Sequence, residues 1–233
     1  MPETPESVPV RCSATPAFLC LKRCIDAYLA FVALLAAAPL LLLIAWLIRR
    51  ESPGPALFRQ LRAGRNGRPF TLLKFRTMRS DADPYGDSPQ SGSDPRITRI
   101  GRILRETSLD ELPQLINVLR GEMSLVGPRP LYLQQMREWN TRQKARLLVK
   151  PGLTGLAQIR GRGALTIEDK LEWDVRYVEQ ISLKTDLAII IETLAQVFRR
   201  SGIYEVQYSR TQARRTQHDE KSGSAPGGAR CRS

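Results

Sequence analysis

One apolar stretch stands out from the alternating pattern in the rest of the chain. It runs from Ile25 to Ile48 and contains one acidic residue, Asp26. About 20 apolar residues are enough to cross a bilayer as a helix, so this stretch predicts a membrane segment. Pro39 in its middle and basic pairs at both ends fit a segment that bends and returns to the same face. A straight spanning helix explains the hydropathy equally well and stays open as the alternative.

After residue 50, shorter patterns predict strands and amphipathic helices. The run Phe70–Met78 (FTLLKFRTM) predicts a strand, and its alternation puts Lys74 and Arg76 on one side. Isoleucines and arginines recur at helical spacing over 96–105, which predicts a basic amphipathic helix suited to a membrane interface or to phosphate. The composition therefore favours a small α/β domain beside a membrane.

Two further apolar stripes predict helices. One covers 112–119 and ends at Gly121, and the other covers 185–200. Together these patterns predict a flexible N-terminus at 1–17, a membrane segment at 18–50, a globular domain at 51–206, and a disordered basic tail at 207–233.

Charge and side-chain chemistry narrow the range of functions. The 36 basic and 23 acidic residues give a net charge of +13, which favours nucleic acid, anionic headgroups or phosphorylated small molecules as partners. Aromatic residues make up 6% of the chain, too few for the stacking surfaces of a nucleic-acid-binding protein, although that function stays open as an alternative. The one histidine, His218, lies in the polar tail, and the four cysteines lack metal-ligand spacing. Acid–base or nucleophilic chemistry must therefore rest on carboxylates.

The adjacent acids Asp110 and Glu111 are the sharpest local feature. Ser108-x-x-Glu111 matches a helix capping box, which would make the acids structural. The same pair beside Arg105 could instead attack phosphorus and hold Mg²⁺ together with substrate phosphates. Arg129, fixed between two prolines, is already oriented for a phosphate. The residues alone leave both interpretations open.

Four ordered motifs resemble the bacterial sugar transferases, which are polyprenyl-phosphate hexose-1-phosphate transferases, also called monotopic phosphoglycosyl transferases. The motifs are KFRTM (74–78), DPRITRIGRILRETSLDELPQL (94–115), MSLVGPRPL (123–131) and PGLTGLAQIRGR (151–162). The similarity extends over most of the chain and matches the short members of the family. It implies a catalytic domain over 51–206 and a re-entrant membrane helix broken at Pro39. The expected fold is a small irregular α/β domain with amphipathic interfacial helices.

The resemblance also implies a ping-pong reaction at the bacterial inner membrane, with the catalytic domain on the cytoplasmic face. Asp110 would attack a UDP-sugar and expel UMP, and polyprenyl phosphate would then take the phospho-sugar. This is the first membrane step of polysaccharide or glycoconjugate assembly. Glu111 would join Asp110 in holding Mg²⁺, and Arg105 and Arg129 would contact phosphate.

Other expectations are less specific. Substrate contacts are expected at Lys74, Arg76, Gln158 and Arg162. Asp174 and Asp186 lie in the C-terminal part of the resemblance without an assigned role. The expected partners are the donor, the acceptor lipid and the bilayer, but not nucleic acid. The sequence leaves the identity of the sugar and the formation of a homodimer open.

Overall fold

The structure, a computed structural model, describes residues 10, 12–83, 89, 91–161 and 165–199. It is a mixed α/β fold with short strands and one long apolar helix near the N-terminus, which confirms the predicted fold class at that level. The elements follow in chain order: α1 (Pro16–Glu51), β1 (Leu57–Ala63), β2 (Pro69–Phe75), α2 (Arg99–Glu106), α3 (Gln114–Arg120), β3 (Ser124–Val126), α4 (Thr141–Lys144), β4 (Gly152–Thr154), α5 (Leu156–Arg160), α6 (Ile167–Glu179) and α7 (Leu183–Arg199). The tail predicted over 207–233 lies outside the described residues.

Helix α1 begins and ends with ordinary helix signals. The Thr15 hydroxyl accepts a hydrogen bond from the Phe18 N–H at 3.2 Å, and Pro16 occupies the first helical position. At 36 residues it is long and apolar enough to cross a membrane, and only 11% of its most apolar window is buried inside the protein. Pro39 lies inside α1 without ending it. The bend at Pro39 therefore stays a prediction.

Both halves of α1 pack against the globular domain. In the first half, Ala30 is buried with Phe70 and Leu115. In the second half, Ile48 is buried with Phe75. Between and around these contacts, large apolar side chains remain exposed: Tyr28, Leu29, Phe31, Val32, Leu35, Leu40, Leu42, Leu43 and Trp46. The exposed faces of α1 are thus as apolar as its packed face.

Two small sheets and the shorter helices make up the rest of the core. Strands β1 and β2 form an antiparallel hairpin in which Leu57 pairs with Phe75, and β3 pairs with β4 in parallel. The parallel pair needs glycine, because a β-carbon on Gly152 would lie 2.1 Å from the Gly127 nitrogen. Helices α6 and α7 cover this pair and bury Tyr177 and Ile189.

Polar contacts hold the N-terminal half of α1 to the C-terminal helices and β3. Lys22 Nζ lies 2.5 Å from Asp186 Oδ2, and both side chains are nearly buried. Tyr177 donates its hydroxyl to Asp186 Oδ1 at 2.7 Å, and Ser124 donates to Asp26 Oδ2 at 2.7 Å. Asp186, which the sequence could not assign, therefore joins α7 to α1.

The other polar contacts of α1 lie on both sides of its apolar run. Arg23 donates to the carbonyl oxygens of Val118 and Leu119 at 2.6 and 2.7 Å, at the C-terminal end of α3. At the far end of α1, Glu51 Oε1 accepts the Arg99 N–H at 2.7 Å at the start of α2. The two ends of the apolar helix are therefore fixed to the same domain.

Candidate active site

The segment that carries the adjacent acids is a tight turn between α2 and α3. Ser108 has a φ of 57°, a left-handed conformation that is strained for a residue with a β-carbon. A single 3-10 turn, Leu109–Glu111, follows, and α3 begins at Gln114. The Ser108 side chain makes no capping hydrogen bond. The turn therefore forms without the capping box that the structural interpretation of these acids required.

Asp110 is a buried carboxylate among charged neighbours, with 8% of the residue exposed. Burial, helped by the like charge of Glu111, raises the pKa of Asp110 to about 6. Lys74, Arg105 and Arg129 act in the opposite direction and favour the ionised form. At neutral pH the carboxylate is thus mostly ionised although it has lost most of its contact with water, which is the state that a nucleophile or general base needs.

Three elements bring the cations to this carboxylate. Lys74 lies in β2, and burial lowers its pKa to about 8. Arg105 lies in the last turn of α2 and donates its Nε hydrogen to Thr77 Oγ1 at 2.8 Å. Arg129 follows β3 and donates from Nη2 to Glu111 Oε1 at 2.9 Å. The structure thus brings together the acids, both arginines expected at phosphate and one of the expected substrate contacts.

Arg62 also belongs to this group, although no motif indicated it. It lies in β1 with its guanidinium carbon 3.7 Å from the centre of the Tyr132 ring, and it donates to Gln60 Oε1 at 2.6 Å. Burial lowers the pKa of Arg62, and the charges of Arg129 and Glu111 also act on it. The pairing of β1 with β2 brings it here, and β1 was not predicted from the sequence.

Arg76, the second basic residue of the predicted strand, has different partners. It follows β2, is buried, and donates to the carbonyl oxygens of Ser52 at 2.8 Å and of Pro53. The cations that lower the pKa of Asp110 most are Lys74, Arg105 and Arg129. Arg76 therefore fixes the loop after α1, and its contact with substrate stays a prediction.

Gln158, another expected substrate contact, lies in α5 with 8% of the residue exposed. Within the described residues, neither the nitrogen nor the oxygen of its amide has a hydrogen-bond partner. A β-carbon on Gly155 would lie 2.9 Å from Gln158 Oε1 and 2.1 Å from the Gly127 carbonyl oxygen, so the amide lies beside the loop that carries Arg129. Buried amides are nearly always paired, and an orphan one suits a ligand contact. Arg162 lies outside the described residues.

The side chains of the site could hold Mg²⁺ only together with oxygen atoms from a substrate and from water. No cluster of three or more histidine, cysteine or acidic residues occurs in the described part of the chain. A site made wholly from protein side chains is therefore not available there. Mg²⁺ usually binds through one or two carboxylates plus substrate phosphates and water, and Asp110 with Glu111 can supply that share.

A cavity of about 580 Å³ lies apart from these residues. Its wall includes Arg23, Arg65 and Lys150, together with Cys12 and Ile181, and none of the residues around Asp110. The cavity and the perturbed carboxylate of Asp110 thus indicate different places for a functional site. We assign the active site to the acids, because burial and opposite charges together perturb the carboxylate there.

The chain matches the profile of the bacterial sugar transferase family over residues 17–200. It therefore belongs to the bacterial sugar transferase family, and it is an enzyme, as the motifs predicted. The UDP-glucose:undecaprenyl-phosphate glucose-1-phosphate transferase of Caulobacter vibrioides is 46% identical over 195 residues, which cover 78% of this chain and 72% of that protein.

Two further relatives have informative names. The protein of Escherichia coli with the same name as the Caulobacter relative is 41% identical over 192 residues, 79% of this chain and 41% of its own length. The exopolysaccharide production protein ExoY of Sinorhizobium fredii is 38% identical over 198 residues, 78% of this chain and 88% of that protein. The similarity thus extends to relatives of different length and covers most of this chain in each case.

Proposed function

We propose that this enzyme transfers a sugar-1-phosphate from a UDP-sugar to undecaprenyl phosphate and releases UMP. The names of the Caulobacter and Escherichia relatives support this donor and acceptor. The observation that carries the proposal is the buried carboxylate of Asp110 with Lys74, Arg105 and Arg129 around it. These cations favour the ionised carboxylate, and they also attract phosphate. Both effects suit nucleophilic attack by the carboxylate on a phosphorylated donor.

The proposed reaction has two steps. In the first, an oxygen of Asp110 attacks the sugar-bearing phosphorus, the bond from that phosphorus to the bridging oxygen breaks, and UMP leaves with the bridging oxygen. In the second, a phosphate oxygen of the lipid attacks the same phosphorus, and the bond to Asp110 breaks. The products are the lipid diphosphate sugar and the regenerated carboxylate. Two displacements at phosphorus replace one transfer that would require both substrates at once.

The cations have distinct roles in this scheme. Arg105 and Arg129 would bind the phosphate oxygens on which charge builds during each displacement. Lys74, with its pKa near 8, would keep Asp110 ionised and supply a third positive charge. Mg²⁺ held by Asp110, Glu111 and the substrate would neutralise part of the diphosphate charge.

The proposed placement in the membrane follows from the contacts of α1. A straight 36-residue helix is about 54 Å long, which exceeds the roughly 30 Å hydrocarbon layer. A straight crossing would put Arg23 and Glu51 on opposite sides of the membrane, yet both contact the same domain. We therefore favour a re-entrant helix that bends at Pro39 and returns to the cytoplasmic face of the inner membrane.

A second apolar surface would lie on the same membrane face. Helix α7 carries a stripe of leucine and isoleucine residues that are each 42–59% exposed, and Ile103 of α2 is 59% exposed. The residues of the α7 stripe are Leu183, Leu187, Ile191 and Leu194. Such stripes on amphipathic helices bind at the membrane interface. They would bring the catalytic domain to the depth of the acceptor phosphate.

A donor panel tests the proposed function. Purified protein in detergent with undecaprenyl phosphate and Mg²⁺ should release UMP from one or a few UDP-sugars, with UDP-glucose as the first candidate, and should form a lipid-linked sugar. Asp110→Asn should release none. If the wild type, folded by circular dichroism, gives no UMP with any donor, the proposal is wrong. UMP release by Asp110→Asn at the wild-type rate would reject the nucleophile.

A further inference from the structure

We propose that the buried ion pair between Arg146 and Asp174 positions Arg129 for phosphate transfer. The proposal rests on the function above, because Arg129 is there assigned to the substrate phosphate. It gives a role to Asp174, for which the sequence offered none. It also identifies Arg146, which lies in a 3-10 turn outside the recognised motifs, as a positioning residue.

The ion pair connects α6, which carries Asp174, to the loop that carries Arg129. Arg146 donates to Asp174 Oδ2 from Nε at 3.1 Å and from Nη2 at 2.6 Å, and each side chain is 2% exposed. Nη2 also donates to the backbone carbonyl oxygen of Arg129. The ring of Trp139 lies 4.8 Å from the Arg146 guanidinium carbon and restricts its movement. One buried guanidinium thus connects α6 to the peptide group of Arg129.

The loop is held at each neighbouring residue as well. The Gly127 N–H donates to the Thr154 carbonyl oxygen at 2.9 Å, and the Pro128 carbonyl oxygen accepts the Gly152 N–H at 2.9 Å. Prolines on both sides of Arg129 restrict the backbone further. Between these two prolines, the Arg146 guanidinium also holds the carbonyl oxygen of Arg129. The side chain of Arg129 then reaches Glu111.

The energetics of the pair favour positioning over stability as its role. A buried ion pair loses hydration that its mutual attraction barely repays, and well-packed apolar residues often replace such a pair without loss of stability. The backbone of Arg129 also favours the ionised form of Asp174, so both members of the pair act on the backbone of that residue. A pair that contributes little to stability but holds the backbone of Arg129 contributes through geometry.

The test replaces both members of the pair by apolar residues of similar size. Arg146→Met with Asp174→Leu removes the ion pair without leaving a lone buried charge. We expect the double variant to fold and bind membranes like the wild type but to lose 10- to 100-fold in kcat, because a displacement of about 1 Å at a reacting group can cost about 100-fold. Arg142→Gln is the matched control. It breaks the contacts of Arg142 with Glu172 and Glu179, which join α4 to α6 but do not touch Arg129.

A cycle with Arg129→Ala separates positioning from a general structural effect. If the ion pair acts through Arg129, replacing the pair in an Arg129→Ala background should cause no further loss of activity. Losses that multiply independently would contradict the proposal, as would a folded double variant whose kcat stays within twofold of the wild type. Should the double variant not fold, Arg146→Lys takes its place, since a lysine keeps the charge but not the fork that reaches both Asp174 and Arg129.

Hydrogen exchange gives a readout that does not depend on turnover. Amide exchange in the peptide 125–133 should become at least about tenfold faster in the double variant, the effect of losing one charge-assisted hydrogen bond, and should not change in Arg142→Gln. Unchanged exchange in the double variant would overturn the proposal. If wild-type protein shows no transfer at all, the proposed function fails, and the exchange experiment still decides whether the pair holds the loop.

Discussion

The Asp110 carboxylate is subject to two opposing effects. Burial takes away most of its hydration and raises its pKa, and the cations around it offset only part of that cost. The result, a pKa of about 6, keeps the group mostly ionised at neutral pH. It also makes the oxygen more basic, and thus more nucleophilic, than an exposed aspartate. If Asp110 is the nucleophile we propose, its protonation should affect both the rate and the stability of the protein.

The first prediction is a bell-shaped dependence of kcat/KM on pH. Asp110 must lose its proton to attack, so activity should fall as pH falls through about 6. Lys74 should lose its positive charge as pH rises through about 8, and activity should fall again. Lys74→Arg should remove the high-pH limb and keep the low-pH limb, because arginine stays charged. Initial rates of UMP release from pH 5 to 9 measure this, and a flat profile below pH 6 contradicts it.

A second prediction concerns the stability of Asp110→Asn. The folded-state pKa of Asp110 is raised from 3.8 to about 6, so protonation favours the folded state at low pH, and that contribution is lost as pH rises from about 4 through 6. Asparagine does not titrate. At pH 8 without Mg²⁺, the free energy of unfolding of the variant should therefore be about 1–3 kcal/mol higher than that of the wild type. At pH 4 the two values should be nearly equal. Denaturant titrations at both pH values measure the difference. A variant less stable than wild type at pH 8 would show that the ionised carboxylate does not carry this cost.

Gln158→Met is the third test at the residue scale. The amide of Gln158 is buried and unpaired, so an apolar side chain of similar length should leave stability unchanged or raise it by about 1 kcal/mol. If the amide binds the donor, KM for the UDP-sugar should rise about tenfold or more. Thermal unfolding and initial rates give the two numbers. A destabilised variant with unchanged KM would make Gln158 a structural residue.

At the scale of elements, the apolar patterns predicted α1, α2, α3 and α7 but not α4, α5 or α6. The stripes over 96–105, 112–119 and 185–200 correspond to α2, α3 and α7. The helix predicted to end at Gly121 does so with a left-handed glycine, φ 77°. The three-residue strands β3 and β4 could not be predicted in this way, because their pairing depends on a close approach of Gly127 and Gly152. Long apolar stripes thus predicted helices from the sequence, whereas strands whose pairing depends on tertiary contacts could not be predicted.

Helix α1 carries a prediction about topology. In a strain whose other cysteines are replaced, the exposed Cys20 and a cysteine introduced at the exposed Pro55 should both react with impermeant maleimide in inside-out vesicles and not in intact spheroplasts. Both ends of the helix would then be cytoplasmic. Labelling of one end from each side would show a straight crossing. Pro39→Ala, which restores a helical hydrogen bond, should shift part of the population toward that arrangement.

At the scale of the whole molecule, the active site is assembled from separate parts of the chain. Lys74, Arg105, Asp110 and Arg129 come from β2, α2, a 3-10 turn and the loop after β3. The motifs identified these four residues because each motif has a recognisable local sequence. Arg62 and Arg146 were missed, since only the folded hairpin and the buried pair with Asp174 bring them to the site. The sequence thus indicated the four charged residues that the fold brings together, but it did not indicate Arg62 or Arg146, whose places depend on tertiary contacts.

A covalent intermediate is the central claim, and mass spectrometry of the intact protein tests it most directly. Wild-type enzyme incubated with its UDP-sugar and Mg²⁺, without undecaprenyl phosphate, should gain the mass of one sugar phosphate and release about one UMP per active site. Added undecaprenyl phosphate should then remove the adduct, and Asp110→Asn should never form it. UMP release by wild type only when the lipid is present, with no adduct on the protein, would contradict the account and indicate direct transfer between the two substrates.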